Sequence, residues 1–365
     1  MPEALIEDDV VATVSDQRPG ARQPLIILDR LTEFLDSSGL GRGEMQIERL
    51  GHGHSCETFL LRRDQLEVVL RRAPRPPLTQ GVHNIEREIR ILTALNGAAR
   101  APRVLAACST GAVMGAPFLV MQRVEGVVLD RSVPAALDTP AQRARIGEEL
   151  ADTLAELHAC DVRALGLADI GRPSIDHVRH LQSIQRLWDK VATRSIPEIV
   201  TLADWLVRNV PDVGRQQPTL VHSDFRLGNV LFATTAPARL TATLDWETTI
   251  LGDPLVDLGF LVGLYRDKGD DTGFLTSLSH VALGEGALSR EQLARRYALQ
   301  TGHSLSHFPW YLAFALYRTA VMGEGLFRRL LNGLTKDPFY EDFKDAVPEL
   351  AVRGIGWASS PNRFV

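Results

Sequence analysis

A polar loop between two short apolar strands constrains this chain more than any other stretch. The sequence reads LVHSDFRLGNVLF at residues 220–232, and its loop holds a carboxylate, Asp224, five positions before a carboxamide, Asn229. A second acid follows at Asp245, in LDWE at 244–247. A polar hairpin turn would also contain Asp, Gly and Asn, but it would not require the later carboxylate.

These three side chains are the groups that phosphoryl transfer from a nucleotide uses. One carboxylate orients a hydroxyl nucleophile, while an amide oxygen and a second carboxylate hold magnesium on the phosphates. We therefore predict Asp224 as the catalytic base, and Asn229 and Asp245 as metal ligands. The interval between Asn229 and Asp245 fits a hairpin that brings the two side chains together.

Three further acids follow closely. Along an extended strand Glu247 would face the same side as Asp245, where it binds a second ion or a water, or is only a solvated charge. Asp253 is predicted as a helix N-cap, with Pro254 at the first helical position. Asp257 lies in an apolar helix and needs partners, which the backbone of the predicted catalytic loop, residues 222–229, would supply.

The N-terminal part holds the predicted nucleotide contacts. Gly51, Gly53 and Ser55 form a short loop between strands that would cover phosphates, although Cys56 stands where a third glycine is expected. The backbone of Gln122 and Val124 would pair with a purine edge.

The third strand ends in two arginines and has no lysine. Arg71 is predicted to pair the phosphates, with Glu88 as the partner that fixes it and Glu86 as the alternative. The sequence does not decide between Arg71 and Arg72, and a solvated strand end is the other interpretation.

Periodicity predicts an α+β chain with a protein-kinase-like two-lobe fold, in which a small β-rich N-lobe precedes a large, mainly helical C-lobe. We divide it into a flexible extension (1–24), a nucleotide-binding N-lobe (25–125) and a helical C-lobe with the catalytic loop and acceptor site (126–365). The predicted strands are 45–50, 58–63, 66–71, 116–124 and 240–244, with a further β segment from residue 102. The predicted helices are 24–38, 84–95, 141–159, 177–192, 198–209, 255–265, 289–301 and 309–330.

The composition and charge of the chain exclude several classes of protein. A net charge of −5 gives no basic footprint for nucleic acid. The three cysteines, which are far apart and odd in number, fit a reducing compartment. No apolar run reaches the roughly 18 residues that span a bilayer, and residues 1–23 do not read as a secretory signal. We expect a cytoplasmic protein that binds neither membrane nor nucleic acid. The sequence gives no indication of the oligomeric state.

Three motifs resemble the aminoglycoside phosphotransferase-like small-molecule kinases, in the branch that includes the kinase-like domain of acyl-CoA dehydrogenase family members 10 and 11. They are HSDFRLGN at 222–229, LDWE at 244–247 and LGDPLVDL at 251–258. The resemblance implies a kinase-like fold, ATP or GTP as donor, Mg²⁺, and an alcohol group of a small molecule as acceptor. It also implies that Arg71 replaces the family's lysine.

The acceptor and the level of activity stay open. An aminoglycoside- or macrolide-like antibiotic and a hydroxyacyl-CoA-type metabolite are both compatible with the resemblance. A polycation would favour an acidic cleft, and an acyl-CoA would favour basic and apolar residues. Candidates for the first are Asp267, Asp270, Asp271, Glu285 and Glu324; candidates for the second are Arg179, Arg186 and Trp188.

Ser223 stands where the branch has glycine, and Cys56 stands where it has asparagine. If the first position needs a positive φ, serine is strained there. A catalytically weak pseudokinase is therefore the alternative interpretation. A protein kinase is disfavoured because no activation segment follows Asp245.

Overall fold

The computed structural model of the protein describes residues 9–18, 20, 22–50, 56–75, 85–129, 132–171, 174–214, 216–267, 269–270, 273–278, 284–335 and 337–360. The chain divides into two compact units. The first comprises Met1–Glu125 and Leu244–Thr249, and the second comprises Gly126–Thr243 and Ile250–Val365. The short segment 244–249 thus belongs to the first unit, although its flanking residues on both sides belong to the second.

A five-stranded antiparallel sheet forms the first unit, in the order β3-β4-β5-β7-β6. Its strands are β3 (Gln46–Arg49), β4 (Glu57–Arg63), β5 (Leu66–Arg72), β6 (Val104–Cys108) and β7 (Phe118–Gln122). Two helices accompany it, α1 (Leu28–Ser37) and α2 (Ile85–Leu95). Side chains alternate along each strand, so Phe59 and Leu61 on β4 face one core together with Val68 and Leu70 on β5.

The first residues described contribute to this unit. Strand β1 (Val10–Val11) pairs in parallel with β2 (Ile26–Ile27). The backbone of Asp9 accepts hydrogen bonds from Leu25 and Ile26, and its carboxylate lies 2.6 Å from Arg75. Residues 9–12 and 23–24 thus contact the rest of the first unit, in a segment for which the sequence predicted a flexible extension, and residues 14–18 are exposed. Helix α1 starts at Leu28, later than predicted, because the residues before it form β2.

The second unit is mainly helical. Its helices are α3 (Pro140–His158), α4 (His177–Val191), α5 (Pro197–Arg208), α6 (Pro254–Leu264), α7 (Leu275–Leu278), α8 (Arg290–Thr301), α9 (Phe308–Leu331) and α10 (Phe343–Ala358). Helix α6 is buried along its whole length and packs against α9, as expected for a helix that is apolar on all sides. Helix α10 was not predicted.

Two antiparallel strand pairs frame the catalytic loop. Strand β8 (Thr219–Val221) pairs with β11 (Ile250–Gly252), and β9 (Val230–Phe232) pairs with β10 (Leu240–Thr243). The loop leaves β8 and enters β9, so its two ends are fixed to different strand pairs. No helix in the described part of the chain is long and apolar enough to span a membrane.

Candidate active site

The catalytic loop is anchored by Asp257 of α6. This carboxylate is fully buried, and its oxygens accept the backbone N–H groups of His222 at 2.6 Å and Ser223 at 2.7 Å. Asp253 caps α6 by accepting the N–H of Leu255, with Pro254 in the first turn. Both structural roles agree with the sequence prediction.

Two more side chains complete the anchor. Nε2 of His158 lies 3.2 Å from the Asp257 carboxylate, and its Nδ1 lies 2.7 Å from the Tyr297 hydroxyl. The imidazole thus links α3, α6 and α8. Both His158 and Tyr297 are buried. Tyr297 was not predicted from the sequence, because a tyrosine at a core position of a helix carries no further signal.

Asn229 holds the predicted base in place. Its Nδ2 donates to the Asp224 carboxylate at 2.5 Å and to the Asp224 carbonyl at 2.9 Å. A carboxylate can only accept, so this amide must direct its NH₂ group at Asp224, which leaves Oδ1 as the atom able to bind a cation. Arg226 forms a looser pair with Asp224, with Nε 3.4 Å from Oδ1.

Ser223 adopts a left-handed backbone conformation, with a φ of 70°. The sequence predicted that serine would be strained here if the position requires a positive φ, and the structure shows that it has one. A non-glycine residue in this region costs roughly 1–2 kcal/mol. The two hydrogen bonds to Asp257 stabilise the loop against that strain.

We expect Ser223→Gly to stabilise the protein by about 1 kcal/mol, because glycine adopts this φ without a Cβ clash. Urea denaturation measures the change in the free energy of unfolding. Ser38→Gly is the matched control: Ser38 has a φ of −85°, so glycine there should destabilise by a few tenths to about 1 kcal/mol. A loss of stability in Ser223→Gly would show that the serine side chain matters more than the backbone strain.

In the first unit, Arg71 joins three carboxylates. Its Nε lies 3.0 Å from Glu88, and its terminal nitrogen lies 2.6 Å from Asp245 and 3.6 Å from Glu247. Glu88 is therefore the partner, and the alternative, Glu86, lies exposed on α2. The neighbouring Arg72 faces the other side of β5, where it donates to the Ala73 carbonyl. Arg71 and not Arg72 therefore belongs to this cluster, and its role as the phosphate ligand stays a prediction.

Burial and charge compete within this cluster. Burial by itself would lower the pKa of the Arg71 guanidinium. The negative charges of Glu88 and Asp245 have the larger effect, so the pKa is raised. Burial also raises the pKa of Glu88, and the charge of Arg71 offsets only part of that rise. The charged form of Glu88 is therefore stabilised by Arg71, and the cluster is a coupled unit.

The segment after β10 is a turn rather than an extended strand. Asp245 has a φ of 66°, so the strand alternation that grouped Glu247 with Asp245 does not apply. Both carboxylates nevertheless reach Arg71. Glu247 is buried and accepts a hydrogen bond from Sγ of Cys56 at 3.2 Å. Burial raises the pKa of Cys56, so the thiol keeps its proton and remains a donor.

The other predicted nucleotide contacts are only partly described. Gly51, Gly53 and Ser55 lie outside the described residues. The amide N–H of Gln122 donates to the carbonyl of Arg103 at 2.8 Å within the sheet, and the pairing of its backbone with a purine stays a prediction. Val124 follows β7 in the connecting segment, and its role stays a prediction.

The acidic residues considered for a polycation are largely engaged within the protein. Asp270 pairs with Arg290 and Arg353, each at 2.5 Å. Glu324 is fully buried and accepts from the backbone of Thr193 and the guanidinium of Arg194. Asp271 lies outside the described residues. Within the described ranges, no group of three or more His, Cys, Asp or Glu side chains is arranged to hold a metal ion.

Solved structures share this architecture. A protein from Ralstonia eutropha assigned to the aminoglycoside phosphotransferases matches with a TM-score of 0.76 and 29% identity, over 91% of this chain and 98% of that one. The GDP complex of a mutant aminoglycoside 2′-phosphotransferase-IIIa gives 0.62 at 18% identity, over 90% and 98%. A thermostable mutant of the aminoglycoside phosphotransferase APH(4)-Ia, bound to AMP-PNP and hygromycin B, gives 0.57 at 16%, over 91% and 99%. These matches define the class as α+β and kinase-like, which confirms the predicted fold.

The chain belongs to the family described as the phosphotransferase enzyme family, whose model matches residues 46–308. It is 31% identical over 338 residues to acyl-CoA dehydrogenase family member 10 of Mus musculus, and 32% identical over 327 residues to member 11 of Gallus gallus. These matches cover 91% and 86% of this chain but 31% and 40% of the relatives. The chain thus spans less than half the length of these relatives, and the predicted resemblance is confirmed.

Proposed function

We propose that the protein is an ATP-dependent, magnesium-requiring phosphotransferase that acts on a hydroxyl group of a small molecule. The observation that carries the proposal is the catalytic loop, in which Asn229 fixes the Asp224 carboxylate and Asp257 fixes the backbone. A carboxylate held in this way can orient a hydroxyl without reorganising, which is the main contribution a protein makes to phosphoryl transfer.

In this reaction Asp224 accepts the proton of the acceptor hydroxyl. A bond forms between the hydroxyl oxygen and the γ-phosphorus, and the bond from that phosphorus to the nucleoside diphosphate breaks. Arg71 supplies positive charge toward the phosphates, and Glu88 keeps its guanidinium oriented. The family membership and the complexes of the fold neighbours with GDP and AMP-PNP support a nucleotide donor.

Magnesium would be held by Oδ1 of Asn229 and the carboxylate of Asp245, with Glu247 as a further candidate. Oxygen donors of this kind suit magnesium, which typically takes one or two carboxylates and completes its shell with phosphates and water. The fit does not require a cluster of three acidic side chains. When bound, the ion supplies neutralisation of the charge on the transferring phosphoryl group.

An Asp224→Asn variant tests the assignment. We expect transfer to fall by about 10²–10⁴-fold because the general base is lost, while AMP-PNP binding is retained. The assay incubates pooled hydroxyl compounds with ATP and Mg²⁺ and records an added phosphate by mass spectrometry. Asp204→Asn, on the exposed face of α5, is the control and should transfer like the unmodified protein.

The backbone strain at Ser223 favours a second candidate function, that of a nucleotide-binding pseudokinase. If the protein binds AMP-PNP but yields no phosphorylated product from any acceptor pool, the catalytic proposal fails and the pseudokinase stands. If Asp224→Asn retains full transfer, Asp224 is not the base.

A further inference from the structure

A cavity of about 280 Å³ lies in the second unit between α4 and the strand pair β8–β11. Its apolar wall includes Ile175, Val221, Leu251 and Val256. Val221 immediately precedes the catalytic loop. The volume is close to the lower limit of small-molecule sites, at roughly 300 Å³. We call this cavity the α4 pocket.

Buried polar groups hold the wall of the α4 pocket in place. His177, the first residue of α4, places Nε2 3.0 Å from the Asp253 carboxylate, and the Tyr311 hydroxyl donates to the same carboxylate at 2.6 Å. Burial alone would raise the pKa of Asp253, but the hydrogen bonds from His177 and Tyr311 outweigh it and lower the pKa. The pocket is therefore preorganised by an ionised carboxylate that is already satisfied.

His180 offers hydrogen-bonding capacity to this pocket. Its ring lines the cavity and packs edge-on against Phe314, with ring centroids 5.0 Å apart. Among the residues that the structure describes, neither of its ring nitrogens has a hydrogen-bond partner. Burial, with the charges of Arg318 and His177, lowers the pKa of His180 to about 4. The imidazole is thus neutral at physiological pH, with one N–H donor and one acceptor nitrogen.

Arg318 is close enough to His180 and to Asp224 for their charges to influence one another. Its charge acts on His180, and the carboxylates of Asp224 and Asp257 act in turn on Arg318. Its guanidinium also lies over the ring of Phe260, 5.4 Å from the centroid. The imidazole of His180 and the predicted base are therefore both within electrostatic reach of one arginine.

The charges at the pocket rim largely cancel. Asp176 and Arg179 both line the cavity, and Asp176 caps α4 by accepting the N–H of Arg179 at 2.9 Å. The remaining carboxylate of the lining, Asp253, is already bonded to His177 and Tyr311. An ammonium group entering this space would lose its hydration, and both carboxylates of the lining already accept hydrogen bonds from protein groups.

We propose that the α4 pocket binds the acceptor and selects an uncharged, largely apolar hydroxyl compound, with His180 as a hydrogen-bonding specificity residue. This inference rests on the proposed function and gives its acceptor a chemical class. It separates this chain from neighbours whose complexes hold the aminoglycosides hygromycin B or kanamycin.

The test compares benzyl alcohol with its para-aminomethyl derivative, which adds one ammonium group to the same ring. Ligand-observed saturation-transfer NMR on the full chain gives the dissociation constant of each. Ser183→Phe fills the pocket from an exposed position of α4, and His180→Leu removes the hydrogen bond while keeping the bulk. Thr201→Phe on α5 is the control for Ser183→Phe, because it adds the same ring outside the pocket.

We expect benzyl alcohol to bind to the unmodified protein and to Thr201→Phe. Its binding should be lost in Ser183→Phe. His180→Leu should weaken it about fivefold, the effect of one hydrogen bond. The ammonium derivative should bind at least about tenfold more weakly. The assignment is overturned if benzyl alcohol still binds to Ser183→Phe. It is also overturned if the ammonium compound binds equally well or more tightly, or if benzyl alcohol does not bind to the unmodified protein.

A parallel titration with AMP-PNP and Mg²⁺ separates the two proposals. If the nucleotide binds and benzyl alcohol does not, the pocket assignment fails while the proposed function stands. If benzyl alcohol binds as expected but the nucleotide does not, the phosphotransferase proposal fails instead.

Discussion

Asp257→Ala is expected to lower the free energy of unfolding by about 3–5 kcal/mol, because it leaves several buried polar groups without their partner. The carboxylate accepts the N–H groups of His222 and Ser223 and contacts His158. None of these groups can turn to water, since all three residues are buried. The strain at Ser223 is then no longer offset, so the catalytic loop should loosen as well.

Urea denaturation and hydrogen exchange measure these two effects. Asp257→Asn keeps one accepting oxygen and should recover about half of the loss. Asp204→Ala, an exposed aspartate whose partner Arg208 lies 3.5 Å away, should change stability by less than about 0.5 kcal/mol. An Asp257→Ala variant as stable as Asp204→Ala would show that the loop does not depend on this anchor.

Arg71→Met is expected to cost about 3–5 kcal/mol, because Glu88 then remains buried without its cation. Burial already raises the pKa of Glu88 above its ordinary value, and loss of Arg71 should raise it further. The folded variant then binds more protons at Glu88 than the unfolded chain, so its stability falls as the pH rises through the Glu88 titration. The deficit should be smallest in acid and largest near neutral pH.

The measurement is urea denaturation of Arg71→Met across pH 4 to 8. Arg71→Met combined with Glu88→Leu removes both buried charges and should recover part of the loss near neutral pH. Recovery is partial because Asp245 and Glu247 also lose their contact with Arg71. Arg208→Met, at an exposed pair, is the control, and a deficit independent of pH would exclude Glu88 as the cause.

The anchoring of the loop could be predicted from sequence because each step follows a local rule. A carboxylate in an all-apolar helix requires buried donors, and the loop was the nearest source of free N–H groups. The positive φ at Ser223 followed from a glycine position in similar sequences. The bounds of β4, β5 and most helices were within a few residues of the predicted ones because their apolar periodicity is strong.

Other features depend on contacts that no local pattern carries. Cys56 meets Glu247 across 191 positions, and Tyr297 reaches His158 across 139. Helix α10 was missed because Pro348 lies in its interior, where proline usually interrupts a helix. The expected strand at Glu247 was wrong because the left-handed Asp245 bends the backbone before the alternation can continue.

The placement of Leu244–Thr249 in the first unit has a consequence for how the chain is made. A ribosome releases Arg71 and Glu88 long before Asp245 and Glu247, so the first unit stays incomplete until Leu244–Thr249 has been synthesised. A fragment that ends at Glu125 holds Arg71 without two of its three carboxylate partners. Recombination between Glu88 and Asp245 would therefore separate groups that depend on each other.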